Sequence, residues 1–415
     1  MRFSDVLHQD GAQDRLQRAL RCGRVPHAYL FAGPEGVGKE MLAQRFAAVL
    51  LCPHAVEQPA ADLRNRGIAA TGIGLEACGT CDDCVLFAAG THPDLHRIHR
   101  GLSRYHPDPA VRARKATVLG IDVIRHFLIE RAGLFPSRGQ AKVFLIPEAH
   151  LLSDESQNAL LKTLEEPPDH TFLILLAASV ETMLPTTRSR CHLVRFSPLP
   201  TSFVEQALQK QHGAPPAAAR FLAELSQGSL GLALRGWRAG LHESAAAVWE
   251  ALGDAARDPL GAGKALLAAA EAVAHAYHRG PAAPSEEAED DEPAEKETGV
   301  IGATAEEDRT AAASPPRAGG VLNPLREAQK TVLSMVAIAL RDVLRLGVGA
   351  PPAAVPADKR ITALARVAAP AAVGQAIRAV SQAEMQIERS LNAQLVFDNV
   401  GIALGQALTP TTGRR

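Results

Sequence analysis

The sequence predicts an α/β domain built on a parallel sheet over roughly its first half, and helices alone over the rest. Three observations carry this. The runs Ala28–Ala32, Ala141–Ile146 and Thr171–Ala178 are apolar at almost every position, as strands buried on both faces must be. Stretches of helical period stand between them, the alternation that makes a βαβ sheet. From Pro198 onward such runs cease and only the helical period persists. The 415 residues are enough for two or three domains.

In chain order, Asp10–Cys22 reads as a helix with Leu16 and Leu20 on one face, and His27–Gly33 as a buried strand entered through Pro26. Gly33-Pro-Glu-Gly36-Val-Gly38-Lys39-Glu40 follows, then an amphipathic run from Met41 to Leu51. Strand, glycine loop and helix form the context of a phosphate-binding loop. Gly33, Gly36 and Gly38 let successive N–H groups turn toward phosphate oxygens, the helix N-terminus adds its dipole, and Lys39 would reach the outer phosphates. A hydrolysing loop continues with Ser or Thr, whose hydroxyl holds Mg²⁺. Here the residue is Glu40.

Residues 52–90 read as an irregular insertion holding Cys78, Cys81 and Cys84. Two-residue spacings suit a wrapped metal, and zinc takes four tetrahedral thiolate or imidazole ligands. Cys52 is the best fourth ligand, with His54 and His92 as alternatives. An iron–sulfur cluster is a rival, but the ferredoxin run needs a fourth cysteine where Ala88 stands. Plain buried thiols are the bland alternative.

Asp94–His99 reads as a second strand, followed by Arg97, Arg100, Arg104, Arg112, Arg114 and Lys115, either a phosphate-contacting loop or a solvated surface. Ile121–Ala132 is an amphipathic helix and Ala141–Ile146 a strand ending in Pro147-Glu148. In P-loop ATPases that end carries an acid for Mg²⁺ followed by Glu; only Glu148 is present. Ser153–Glu166 is a helix stopped by Pro167-Pro168. Thr171–Ala178 is a strand with Ser179 at its end, and Thr187-Arg-Ser-Arg-Cys191 leads to a last strand reaching Phe196. Such sheets bind ligands at the carboxyl ends of strands, where the loop, Glu148 and Ser179 all lie.

Residues 198–240 read as a lid of three short helices, Ser202–Gln211, Ala217–Ser226 and Ser229–Trp237. His242–Tyr277 is helical and Ala-rich. Residues 281–320 are acidic and rich in Pro and Ala, a disordered insertion by composition. Leu325–Leu346, Ile361–Val367, Val373–Gln386 and Leu391–Leu408 complete an all-helical domain, 241–280 plus 321–410, whose simplest use is oligomerisation.

The formal net charge of −1 gives no global electrostatic case for nucleic acid. No apolar run approaches the ~18 residues of a membrane span, and Met1-Arg-Phe-Ser-Asp5 starts no secretory segment. A cytoplasmic location is expected, so the six cysteines read as metal ligands or buried thiols before disulfides.

The phosphate loop, the cysteine insertion after its helix, Leu160-Leu-Lys-Thr-Leu-Glu-Glu-Pro-Pro168 and Thr187-Arg-Ser-Arg-Cys191 together resemble the bacterial clamp-loader AAA+ family over residues 1 to about 235. The helical remainder resembles its collar more loosely, with Leu391-Asn-Ala-Gln-Leu395 looking like the start of the last helix. The resemblance implies a RecA-like ATPase domain over 1–197, a helical lid and a collar that builds a five-subunit ring. It implies structural zinc on Cys52, Cys78, Cys81 and Cys84, and Arg190 of the Ser189-Arg190-Cys191 motif as an arginine finger on a neighbour's ATP. Active members carry Thr or Ser at 40, Asp at 147 and Arg at 231; this chain has Glu40, Pro147 and Gly231. The expectation is therefore a non-hydrolysing ring subunit with a vestigial loop at Gly33, Gly36, Gly38 and Lys39 that could hold ATP or ADP without turnover. Its partners would be gamma/tau-type ATPase and delta subunits, and through the assembly a sliding clamp and primer–template DNA, with no membrane. The alternatives are an active gamma/tau-type ATPase and a zinc-containing DNA-binding module.

Overall fold

The computed structural model describes residues 2–58, 74–114, 117–138, 141–279, 324–354 and 359–409. The acidic stretch 281–320 and Lys115 lie outside these residues.

The first half forms one five-stranded parallel sheet. Its strands are β1 (Ala28–Ala32), β4 (Leu95–Arg97), β5 (Lys142–Ile146), β6 (Thr171–Ala177) and β7 (His192–Arg195), in the order β4-β5-β6-β1-β7. The remaining pair, β2 (Val56–Gln58) and β3 (Gly74–Glu76), is antiparallel and sits in the insertion. β1 and β5 are buried at all five positions, which explains their unbroken apolar sequence.

Alternation sorts the β1 side chains between two helical layers. Leu30 joins Phe144, Ile146, Leu173 and Leu175 in a core covered by α4, which runs Ile121–Ile124, Arg125–Ile129 and Glu130–Ala132 with a π-helical middle, and by α5 (Asp154–Glu165). α4 supplies Val123, Ile124 and Leu128, and α5 supplies Leu160 and Leu164. Tyr29 meets Phe46 of α2 (Lys39–Leu51) edge-on at 5.0 Å between ring centroids. Each such side chain, nearly lost to solvent, contributes about 1.5–3 kcal/mol of burial. α1 (Asp10–Arg21) precedes β1.

The described part of the insertion, residues 52–58 and 74–90, is more regular than its sequence suggests. Besides β2 and β3 it carries a helix, α3 (Asp82–Ala88). Cys78 stands before that helix, Cys81 caps it and Cys84 lies inside it. β3 is tied to the main body by Gln17, whose amide exchanges hydrogen bonds with the Leu75 backbone at 2.7 and 2.9 Å. Glu76, 2% exposed, accepts the Phe3 amide at 2.9 Å.

After the one-turn α6 (Pro185–Arg188) come α7 (Thr201–His212), α8 (Pro216–Leu225) and α9 (Leu230–Arg238). The chain forms two compact units, one of residues 1–207 with 226–233, the other of 208–225 with 234–415. The helices of the 198–240 stretch are thus divided between them.

The second unit is helical. His242–Tyr277, read as one run, is two helices, α10 (Leu241–Asp254) and α11 (Pro259–Arg279). Pro259 begins the second, where its missing N–H is harmless. α12 (Pro324–Gly347), α13 (Lys359–Val367), α14 (Pro370–Glu388) and α15 (Ala393–Leu408) follow. The last helix starts two residues after Leu391, with Asn392 accepting the amides of Gln394 and Leu395 as its cap. α11 and α15 cross closely because Gly401 faces the Pro259 carbonyl, where a Cβ would stand 2.1 Å from the oxygen. α12 buries Asp342, whose carboxylate accepts the amides of Ala353 and Ala354 at 2.8 and 2.9 Å.

Candidate functional site

Three side-chain constellations stand out, all in the first unit. The first is the phosphate loop, between β1 and α2. Gly36 and Gly38 have φ of 70° and 100°, conformations that a side chain would strain, and α2 begins directly at Lys39. Gln9, only 4% exposed, fastens the loop: its amide donates to the Val37 and Ser197 carbonyls at 3.2 and 2.7 Å and accepts the Ser197 N–H at 3.2 Å. No sequence pattern pointed to Gln9, because its partner at 197 is distant in the chain.

The charges around the loop are closed on one another. Lys39 turns its ammonium back onto the carbonyls of Gly33 and Pro34. Burial lowers its pKa to about 8, against the opposing pull of Glu35. Glu40 is ion-paired with Arg97, at the end of β4. Glu148 accepts the Arg100 N–H at 3.3 Å and lies 3.4 Å from its guanidinium. Two arginines of the basic stretch are therefore partners of the two acids beside the loop. Arg112 donates to the carbonyls of His106 and Pro107, and Arg114 to Asp122. Pro147, where Mg²⁺ would need a carboxylate, has no side-chain oxygen to give. Ser179 accepts the Glu181 N–H at 3.1 Å and caps a short 3-10 turn.

The loop's apex is covered. Gly231 donates its N–H to the Gly36 carbonyl at 3.0 Å, and a Cβ on Gly231 would lie 2.8 Å from the Gly36 Cα. Ser229 stands equally close, 2.4 Å from where a Gly36 Cβ would be. The sequence shows Gly231 only as a missing arginine; the structure shows glycine as the residue that lets the start of α9 seat on the loop.

The second constellation is the Ser189-Arg190-Cys191 turn after α6. Arg190 reaches Glu165, at the end of α5, and donates to the Thr186 carbonyl at 2.9 Å. A third of its side chain remains exposed. Ser189 bonds to the Thr186 carbonyl at 3.0 Å, and Cys191 packs against the sheet core, where burial pushes its thiol up to about 12. Gln157, 2% exposed, accepts the Leu184 amide at 2.8 Å and so sets the start of this turn.

The third is the cysteine cluster. The sulfurs of Cys52, Cys78, Cys81 and Cys84 all lie within 4.8 Å of one another. The pairs 52–81 and 78–84 stand at 3.9 and 3.8 Å. Tetrahedral Zn–S bonds of about 2.3 Å would set the sulfurs about 3.8 Å apart. Backbone amides already point at the sulfurs: Cys78 N–H to Cys52 and Cys81 N–H to Cys78, both at 3.4 Å. Amides of Thr80 and Cys81 bring the Cys78 thiol down to about 5, while burial raises Cys52 and Cys84. The four can hold a metal such as zinc. His92 is not among them; it faces Asp83 at 3.3 Å and accepts the Asp94 N–H. His54 is exposed.

A five-stranded parallel sheet with a glycine-rich loop between a strand end and a helix start is the architecture of a P-loop α/β domain. Residues 8–200 match the family described as "DNA polymerase III, delta subunit". Similar chains include subunit tau of Escherichia coli, 35% identical over 55% of this chain and 31% of that one. Subunit delta' of E. coli is 34% identical over 53% and 57%, and delta' of Pseudomonas aeruginosa 35% over 54% and 60%. The chain spans less than two thirds of the length of these relatives. Over its N-terminal half this chain is similar to DNA polymerase III clamp-loader subunits of both the tau and delta' kinds.

Proposed function

We propose that the chain is a delta-prime-type subunit of a DNA polymerase III clamp loader, a stator that does not hydrolyse ATP itself. The observation carrying this is the closure of the phosphate loop by its own chain. Glu40 and Glu148 are each taken by an arginine, Lys39 is bonded to the loop's carbonyls, and Gly231 sits on Gly36. The groups that would hold Mg²⁺ at 40 and 147 are absent. Identity alone favours tau as much as delta', and the residues at these positions support the delta' reading. The ion-paired arginines speak against a DNA-binding module built on the basic stretch.

In this reading the chain sits in a ring with gamma/tau ATPase and delta subunits in the cytoplasm. Arg190 leaves Glu165 for the γ-phosphate held by the adjacent ATPase, where a guanidinium stabilises the charge of the transferring group. The assembly opens the sliding clamp onto primed DNA. Zinc on the four cysteines is structural, since four thiolates leave no open coordination position.

A steady-state assay of the homogeneous chain with Mg²⁺-ATP is expected to show no turnover above background. Robust Mg²⁺-dependent turnover would overturn the stator reading in favour of the gamma/tau type.

A further inference from the structure

The loop between α4 and β5 is built with unusual care for a surface turn. Lys142, 3% exposed, sends its ammonium to the carbonyls of Arg131 and Leu134 at 2.8 and 2.6 Å. Asp94, 1% exposed, accepts the amides of Ser137 and Arg138 at 2.7 and 2.9 Å. Between these clamps the chain presents Leu134 and Phe135, 65% and 93% exposed. Burying two charged groups merely to order a turn is costly unless the ordering is used.

A third clamp comes from the cysteine cluster. Arg138 is ion-paired with Asp83, a residue 7% exposed that lies in the sequence between Cys81 and Cys84 and in the first turn of α3. Asp82 adds a contact to the same guanidinium at 3.8 Å. The Asp83 carboxylate also faces His92, whose ring accepts the Asp94 N–H at 3.1 Å. Asp83, His92 and Asp94 thus form a continuous polar path from the cysteines to the loop.

We infer that the four-cysteine knuckle is the buttress of the Leu134–Phe135 loop: by holding α3 in place it fixes Asp83, and through Asp83 and Arg138 it fixes the conformation in which the apolar pair is presented. The inference rests on metal binding by the cysteines. With the metal bound, two of its ligands, Cys81 and Cys84, flank Asp83 and allow it little freedom. With the metal removed, α3 is a helix of seven residues, too short to hold itself.

Hydrogen exchange on the full-length chain tests this, with zinc content read by atomic absorption on each sample. In the zinc-loaded chain the amides of Ser137 and Arg138 are expected to be protected. Chelation should speed their exchange about tenfold or more, the size of losing one charge-assisted hydrogen bond, while β1 and β6 stay protected. Arg138→Ala with zinc bound should reproduce the loop effect and leave the zinc content unchanged. Arg138→Gln serves in the same way if the alanine variant does not fold. Zinc removed with no change in the loop overturns the coupling, as does an Arg138 variant whose loop exchanges like the parent. A chain that takes up no zinc at all overturns the metal assignment and the coupling with it, and the zinc readout tells the cases apart.

Discussion

Arg190 shows how one side chain can be both satisfied and available. Its pair with Glu165 is half in solvent, with side chains 33% and 49% exposed, and pairs of that kind contribute at most about 1 kcal/mol. In the proposed finger role, leaving Glu165 for a neighbour's triphosphate would cost little, whereas a finger's contribution to the transition state is about 10³-fold or more in rate. Arg190→Ala should fold and melt within a degree or two of the parent, since it removes only an exposed pair. It should cut the ATPase rate of the assembled loader by a factor on the order of 10³. Assembled loader with an unchanged rate would remove Arg190 from the reaction. No local period joins Arg190 to Glu165, 25 residues earlier, so neither the pairing nor the third of the arginine left exposed is legible in the sequence.

Among the elements, the cysteine knuckle was legible almost in full. Its residues lie close in the chain, and thiol spacing is itself a geometric constraint. Cys81 caps α3 and Cys84 lies within it, so the helix and the ligand set depend on each other. Zinc analysis of the purified chain should give about one ion per molecule, and Cys81→Ser should lower it together with the protection of α3. A metal-free chain with α3 fully protected would sink the assignment. The sheet was legible for a different reason, because strands buried on both faces must be apolar throughout. What the sequence concealed are contacts between charged residues far apart in the chain. Glu40 with Arg97, Glu148 with Arg100 and Asp83 with Arg138 each join separate elements, and no local period marks such pairs. The buried charges Asp94, Lys142 and Asp342 were hidden likewise, since their partners are backbone groups. The break at Pro259 is hidden because the Ala-rich run around it has a helical period on both sides.

At the level of the whole chain, the sequence suggests boundaries after residues 197 and 240, and the two spatial clusters interleave across the stretch between them. Residues 208–225 belong with the helices beyond 234. α8 shows why: Phe221 and Leu222 are 2% and 1% exposed. Phe221 meets Trp249 of α10 edge-on at 5.9 Å, and Glu224 pairs with Arg341 of α12 at 2.7 Å. A fragment ending at residue 240 keeps α8 but removes both of these helices. Phe221 and Leu222 would then lose part of a burial contribution of about 1.5–3 kcal/mol each. Hydrogen exchange on fragment 1–240 is expected to show α8 close to unprotected while β1, β5 and β6 remain slow, because the sheet core draws on α4 and α5 and not on the later helices. Protection of α8 equal to that in the full chain would mean that it is held by residues before 240, and the interleaved division would fail.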